Sequence, residues 1–448
     1  MSRKRILFAS ALVLLPACSG VDSEPDPEGD PTYYTDVKPI LDGRCVSCHS
    51  QGNIGPFVLD TYEAAHATRE LIAASAADRT MPPWSADPGH ADYRFDPSLT
   101  DDQIAVLQKW VDTGAAEGDP AAEGDPLPVV SQKLSRVDLT LKMPQAYVPV
   151  TTPDEYRCFL LDWPETDTMY VTGVDAKPGA TAIDHHIVMF LVRPDNPLGE
   201  GVFDSLAQLD AEDPAPGYEC FGGPAGESGL QIPAQQLGQW VPGQGGGDFP
   251  AGSGIKVPPG SKVVLQMHYS LGMGEVPEDL TTIDLKLDKT VEREAAFAPW
   301  LDQAWPSGTM VIPAGEADVM HMKSADPRGF FNLFIGDVDV KEGFVLHATM
   351  LHMHKLGKRA VVRREAADGT TQTLLSISNW DFNWQRLYQL EEPVRFMPGD
   401  KMTVECHWDN SQENQPVVDG VKQPSKEVNW GEGTGEEMCV ANNYIVEP

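Results

Sequence analysis

Hydrophobic positions along the chain follow two different periods. In residues 100–113, Ile104, Leu107, Trp110 and Val111 fall on one face, and Thr100 with Gln103 forms a capping-box pattern ahead of them, which predicts an amphipathic helix. Residues 33–41 and 61–77 have helix-like composition as well. From about residue 136 the pattern changes to short β-rich runs at 181–192, 262–270, 343–357 and 401–408, which predict strands. Gly 40 and Pro 38 of 448 residues punctuate these runs and favour many short strands and turns over long helices. Roughly 310 residues of such sequence exceed one ordinary sandwich and suit two of ~150 residues each. The fold is therefore read as multidomain: a small all-α domain at 33–118, a linker at 119–135, and two all-β sandwich (jelly-roll-like) domains at 136–295 and 296–448. The acidic, Pro-containing stretch 117–126 marks the end of the first domain.

The first residues stand outside this scheme. Basic Ser2-Arg3-Lys4-Arg5 followed by an apolar run at 6–16 has the layout of an export signal, and the run is too short to span a bilayer. Leu15-Pro16-Ala17-Cys18 resembles the bacterial lipobox, which implies a lipoprotein signal peptide at 1–17, acylation of Cys18, and an anchor in the bacterial cell envelope on its periplasmic or extracellular face. Residues 18–32, acidic and Pro-rich, read as a solvated tether. The whole chain carries -34. Loss of Arg3, Lys4 and Arg5 leaves 30 basic against 67 acidic residues, a charge of -37. Such a surface repels phosphate backbones and excludes nucleic acid as a partner.

Cysteine usage introduces the chemistry. Of the seven Cys, Cys18 is taken by the lipobox, and Cys45 and Cys48 sit in Cys45-Val46-Ser47-Cys48-His49. This is the c-type haem attachment pentad, with two thiols for the vinyl groups and an adjacent imidazole for the iron. In an exported protein the remaining Cys158, Cys220, Cys406 and Cys439 favour two disulfides. The surroundings of the pentad, residues 34–45 and Arg79-Thr80-Met81-Pro82-Pro83-Trp84, resemble the small cytochrome c domains fused to many bacterial exported enzymes. Met81 is the candidate sixth iron ligand, because a thioether raises the haem potential and the two prolines fix its loop; His90 competes for that role.

Three further histidine groups suggest a second metal. His352-Met353-His354 lies in a strand-like run, where positions i and i+2 point the same way and share a metal readily. His185 and His186 are neighbours, which face opposite sides of a regular strand and meet at one metal only at a bulge or strand end. His268 is a lone histidine on a strand face. His347, five positions before His352, is turned by strand alternation to the opposite face.

Four motifs in order change the weight of these spacings: Asp184-His185-His186-Ile187-Val188-Met189-Phe190, Leu265-Gln266-Met267-His268-Tyr269, Leu351-His352-Met353-His354-Lys355-Leu356-Gly357 and Gly435-Glu436-Glu437-Met438-Cys439-Val440. Together they resemble the copper type II, ascorbate-dependent monooxygenases, the family of peptidylglycine α-hydroxylating and dopamine β-monooxygenase. Asp381-Phe382-Asn383-Trp384-Gln385 and residues 398–407 extend the resemblance. It implies two copper ions, one held by His185, His186 and His268 for electron transfer, the other by His352, His354 and Met438 for oxygen. It also implies disulfides Cys406–Cys439 and Cys158–Cys220, and a reaction in the cleft between the sandwiches. Met350 and Asn442 stand where the amidating enzyme places its carboxylate-holding Arg and Tyr, so a glycine-extended peptide is disfavoured and a neutral or cationic substrate expected.

The expected function is an exported copper-dependent monooxygenase. It would hydroxylate a C–H bond of a small organic substrate with O2, its electrons coming through one covalent c-type haem from an ascorbate-like reductant or periplasmic redox protein. Two alternatives are a periplasmic copper carrier or electron-transfer protein without oxygenase activity, and an extracellular binding module whose haem senses redox state. A carrier needs only one copper site, and complete ligand sets at both favour the enzyme.

Overall fold

The computed structural model describes residues 29–448 except 129, 131, 196–200, 227–233, 272–274, 336, 337, 419, 432 and 434. The export signal, Cys18 and most of the tether lie outside the described residues. Among the described residues no helix is long and apolar enough to cross a membrane.

Short helical segments at Tyr33–Val37, Lys38–Arg44, Tyr62–Ala67, Arg69–Ala77 and Asp101–Asp112 make up the N-terminal part. Thr100 caps the last of them: its hydroxyl accepts from the Gln103 amide, and the Gln103 side chain accepts from the Thr100 amide. Leu107 and Trp110 then pack with Tyr33, Val37, Leu41 and Leu99 in a small core. The chain between 84 and 93 does not stay with the helices. Trp84, Ala86 and Tyr93 pack on the core of the C-terminal sandwich, and Asp87 accepts hydrogen bonds from the Ser376 and Ser378 hydroxyls. This strap fastens the helical part to the β structure.

Most of the remainder is sheet. Among the described residues, one sheet has nine strands, and sheets of five and four strands cover different parts of it. The five-stranded sheet includes Asp154–Asp162, Asp184–Val192, Gln235–Trp240 and Lys262–Ser270. It packs through Phe159, Ile187, Met189, Leu265 and Met267 on Val171, Ile255, Ile283 and Leu285 of the large sheet. The four-stranded sheet packs through Val362, Leu375, Val404 and Trp408 on Phe344, Leu346, Ile445 and Phe396.

The two cores meet in shared strands. In Arg293–Trp300, Ala295 and Phe297 belong to the first core while Ala296, Ala298 and Trp300 belong to the second. Val440–Val446 behaves alike, with Tyr444 and Val446 on one side and Ala441 and Ile445 on the other. This is the period-2 alternation of a strand buried on both faces. A boundary at 295/296 thus passes through a strand that serves both sandwiches. Cys158–Cys220 and Cys406–Cys439 form disulfides.

Some local readings change. The run at 343–357 is a strand only over Phe344–His352, and a turn precedes the next strand at Gly357–Glu365. A bulge separates Leu346 from Ala348, so His347 is the extra residue and the simple alternation that set its face does not apply. The helices Gly201–Glu212 and Arg328–Phe334 interrupt the β region.

A shared sheet couples the stability of the sandwiches. Trp300 is 2% exposed and donates its indole N–H to the Met402 carbonyl. Trp300→Ala should cost about 3–5 kcal/mol and move both sandwiches together in one calorimetric transition; separation into two transitions, only one of them shifted, would contradict the coupling.

Candidate functional site

Residues His185, His186 and His268 converge on the outer face of the five-stranded sheet. In Asp184–Val192 the residues Ile187, Met189 and Leu191 point into the core, so His186 points out. His185 would point inward in a regular strand. A register shift between Asp184 and His186 turns it to the same side. His268 lies on the neighbouring strand directly opposite His186. The three Nδ1 atoms stand 3.4 Å (His185 to His186), 3.1 Å (His185 to His268) and 3.1 Å (His268 to His186) apart. Nitrogens so spaced are edges of a polyhedron whose centre lies ~2 Å from each, the metal–imidazole distance. The donor set fits a transition metal.

The second nitrogen of His268 is fixed as well. Nε2 lies 3.0 Å from Asp154 Oδ1, so it carries the proton and leaves the Nδ1 lone pair toward its neighbours. Tyr156 stacks on the same ring at 4.1 Å. The bond to His268 holds the Asp154 carboxyl below its usual range. Burial lowers all three imidazoles, His185 to about 4, so they are neutral near pH 7 and able to act as ligands.

His352 ends the strand Phe344–His352 and His354 lies in the following turn, so the turn and not the pleat brings their rings to 5.0 Å at near-right angles. Here Nδ1 is the fixed atom. His352 Nδ1 meets Gln385 Oε1 at 2.6 Å and His354 Nδ1 meets the Glu436 carbonyl at 3.1 Å, which leaves both Nε2 atoms free for a metal. Burial lowers both, His354 to about 3. Met438, 7% exposed, lines the same cavity.

Glu437 holds this second group together. Fully buried, its carboxylate accepts from the backbone N–H of His354 and Leu356 at 2.8 and 2.6 Å and from the Trp408 indole at 2.9 Å. It also accepts from the Met438 amide. Burial pushes its carboxyl up to about 7 while these donors pull it down. Together with Cys406–Cys439, it fixes Met438 relative to His354.

One cavity of about 380 Å³ is lined by all of His185, His186, His352, His354 and Met438. Phe382 stands between the groups, its ring 6.5 Å from His185 and 6.2 Å from His354. Asn383 hydrogen-bonds to His185. Sequence reasoning gave no role to Asp154, Phe382, Asn383, Gln385 or Glu437. The segment 381–385 and Glu437 lie inside the motifs that carry the family resemblance, which is their only signal.

The pentad occupies the turn after Lys38–Arg44. Cys45 and Cys48 are unpaired and half-buried, and burial pushes the Cys45 thiol up to about 12. His49 Nδ1 donates to the Phe57 carbonyl at 3.0 Å and leaves Nε2 free, as an axial iron ligand requires. Only glycine fits at 55, where a Cβ would come 2.7 Å from the Cys48 carbonyl and 2.8 Å from His49 Nδ1. These residues fit a covalent haem. Met81 stands half-buried beyond the helix Arg69–Ala77, its N–H on the Ser75 carbonyl, and the ring that meets His49 is Phe57 at 4.9 Å. His90 is exposed.

The pentad turn rests on elements that lead to the cavity. A Cβ on Gly243 would lie 3.4 Å from Cys48 Sγ, and Arg386 Nη2 donates to the Gly243 carbonyl at 3.2 Å. Arg386 follows Gln385, the partner of His352. Thr181 Oγ1 donates to the Gly52 carbonyl at 2.8 Å, four residues before His185.

Residues 309–446, which carry His352, His354 and Met438, match the family model described as copper type II ascorbate-dependent monooxygenase, C-terminal domain. The matches support that family. The chain is similar to DBH-like monooxygenase protein 1 of Gallus gallus, 34% identical over 101 residues, 22% of this chain and 14% of that protein. It is also similar to MOXD1 homolog 1 of Drosophila melanogaster, 22% identical over 203 residues, 45% of this chain and 26% of that protein. The chain thus spans well under two thirds of these relatives. Among solved structures, that of an allantoicase aligns at 12% identity over 57% of this chain and 78% of the other, with a TM-score of 0.13 that carries no argument.

The His268 geometry predicts a selective loss. Asp154→Asn should weaken binding of copper at His185, His186 and His268 by about 10–100-fold and leave the His352 group unchanged, measured by competitive copper titration; equal weakening at both groups would contradict the assignment.

Proposed function

We propose that the protein is an exported copper-dependent monooxygenase that hydroxylates a C–H bond of a small organic substrate with O2, with electrons supplied through a covalent c-type haem. The observation that carries this reading is one cavity onto which two differently built ligand groups open, one of three imidazoles, reached through His185 and His186, and one of two imidazoles and a thioether. Two copper ions, when bound, supply one-electron redox chemistry and an open coordination position for oxygen. His185, His186 and His268 would hold the first, and His352, His354 and Met438 the second. A thioether favours Cu(I), the state that must meet oxygen.

The chain's own residues prepare this chemistry. Asp154, Gln385 and the Glu436 carbonyl fix the ring orientation of three ligands, so little reorganisation is left when a metal binds. Phe190, Phe221 and Trp240 give the cavity an apolar wall that disfavours water. A c-type haem would be held by Cys45, Cys48 and His49, with Met81 as the proposed sixth ligand, and would supply single electrons. The place of Cys48 beside Gly243, to which Arg386 donates, supports this supply, since Gly243 and Arg386 belong to segments that reach the cavity. The lipid anchor at Cys18, the place in the cell envelope, an ascorbate-like or protein reductant, and the haem domain at 33–118 belong to the same proposal.

The full chain, expressed with haem maturation, should contain two coppers and one covalent haem and consume O2 with ascorbate when substrate is supplied. Cys45→Ala with Cys48→Ala should remove the haem and turnover driven by a protein donor, yet spare turnover with excess ascorbate. One copper or none after reconstitution would overturn the proposal.

A further inference from the structure

The cavity shared by the two histidine groups has a chain of amides along one side. Met350 and Asn442 lie directly opposite each other in the large sheet. The strand Gln235–Trp240, from the other sandwich, brings Gln236 and Gln239 against them. Asn442 Nδ2 donates to Gln236 Oε1 at 2.5 Å, Gln236 Nε2 donates to Gln239 Oε1 at 3.0 Å, and Gln239 Nε2 ends the series on Met350 Sδ at 3.2 Å. A thioether is a weak acceptor. The last N–H therefore stands ready for a better partner.

Besides the histidine groups and the uncharged amides of Gln235, Gln266, Asn383 and Gln385, the wall is apolar, with Phe190, Phe221, Trp240, Ile335 and Val440. Among the described residues that line the cavity none is Asp, Glu, Lys or Arg. We infer that the cavity takes an uncharged organic molecule with an apolar, ring-sized body and one accepting oxygen, a carbonyl or hydroxyl, and that Gln239 reads this oxygen. The inference rests on the monooxygenase reading for the fate of the molecule, though not for its binding.

Along the amide side, away from the metal groups, a carboxylate would find no guanidinium fork and an ammonium no carboxylate, so either ion would lose hydration there without compensation. A neutral oxygen that displaces the Met350 sulfur converts a weak hydrogen bond into a full one. A cavity of about 380 Å³ exceeds the ~150 Å³ that suffices for benzene in an apolar protein interior, which leaves room for a substituted ring. This narrows the expectation of a neutral or cationic substrate to the neutral one.

The test uses the full chain, copper-loaded and kept oxidised so that nothing turns over, and calorimetric titration with 2-phenylethanol, 2-phenylethylammonium, 3-phenylpropionate and ethylbenzene. The alcohol should bind at least about tenfold more tightly than either ion. Gln239→Leu should weaken the alcohol by about fivefold to tenfold and leave ethylbenzene unchanged, and Gln239→Glu should shift preference toward the ammonium probe. An ion that binds as tightly as the alcohol, an alcohol affinity untouched by Gln239→Leu, or no binding of any probe would overturn the inference. Probe ranking as expected in a chain that retains no copper would support this inference while refuting the monooxygenase reading.

Discussion

Strand Arg293–Trp300 buries alternate residues in two different cores, and Val440–Val446 beside it does the same. Neither sandwich can turn against the other without opening this ladder and exposing Phe297, Trp300, Tyr444 and Ile445 to water. Each of these large side chains stabilises the arrangement by roughly 1.5–3 kcal/mol through burial. The relative placement of the two histidine groups follows from this constraint, because one sits on the sheet that covers the first core and the other at the end of a strand in the common sheet. The cavity between them is therefore a feature of a rigid body.

Within that frame, polar bonds set the finer geometry. His268, His352 and His354 each have the remaining nitrogen tied, to a carboxylate, an amide and a carbonyl in turn, and the choice of atom differs between groups: Nδ1 faces inward in the first and Nε2 in the second. Glu437 has a costly position, a carboxylate with no exposure. Its donors come from the turn after His352, from Trp408 and from Met438, so the charge that burial disfavours is also what joins three segments.

Much of the site was legible from the sequence because its ligands fall in short ordered motifs. Helix Asp101–Asp112 was legible too, since a capping box and an apolar face specify it locally. What was not legible depends on long-range register. His185 reaches its partners through a bulge that no local pattern announces, and His354 through a turn where a strand was expected. Asp154 touches His268 because two strands 114 residues apart are neighbours. In the strap at 84–93 only Trp84, Ala86, Ala91 and Tyr93 are apolar, with no period that points to one core, and only the fold decides which they join.

The haem-type turn joins this account through its position. Cys48 meets Gly243, Arg386 bonds to Gly243 and adjoins Gln385, and Gln385 holds His352, so the helical part is packed on the elements that shape the cavity. Phe382, from the same segment, stands between His185 and His354. The central claim is that both metal groups open on one cavity in a rigid frame, and electron paramagnetic resonance of the Cu(II)-loaded chain tests it most directly. The doubly loaded protein should give a spectrum broadened by dipolar coupling beyond the sum of spectra from His268→Ala and His352→Ala, each loaded at its remaining site. A spectrum equal to that sum would contradict the account.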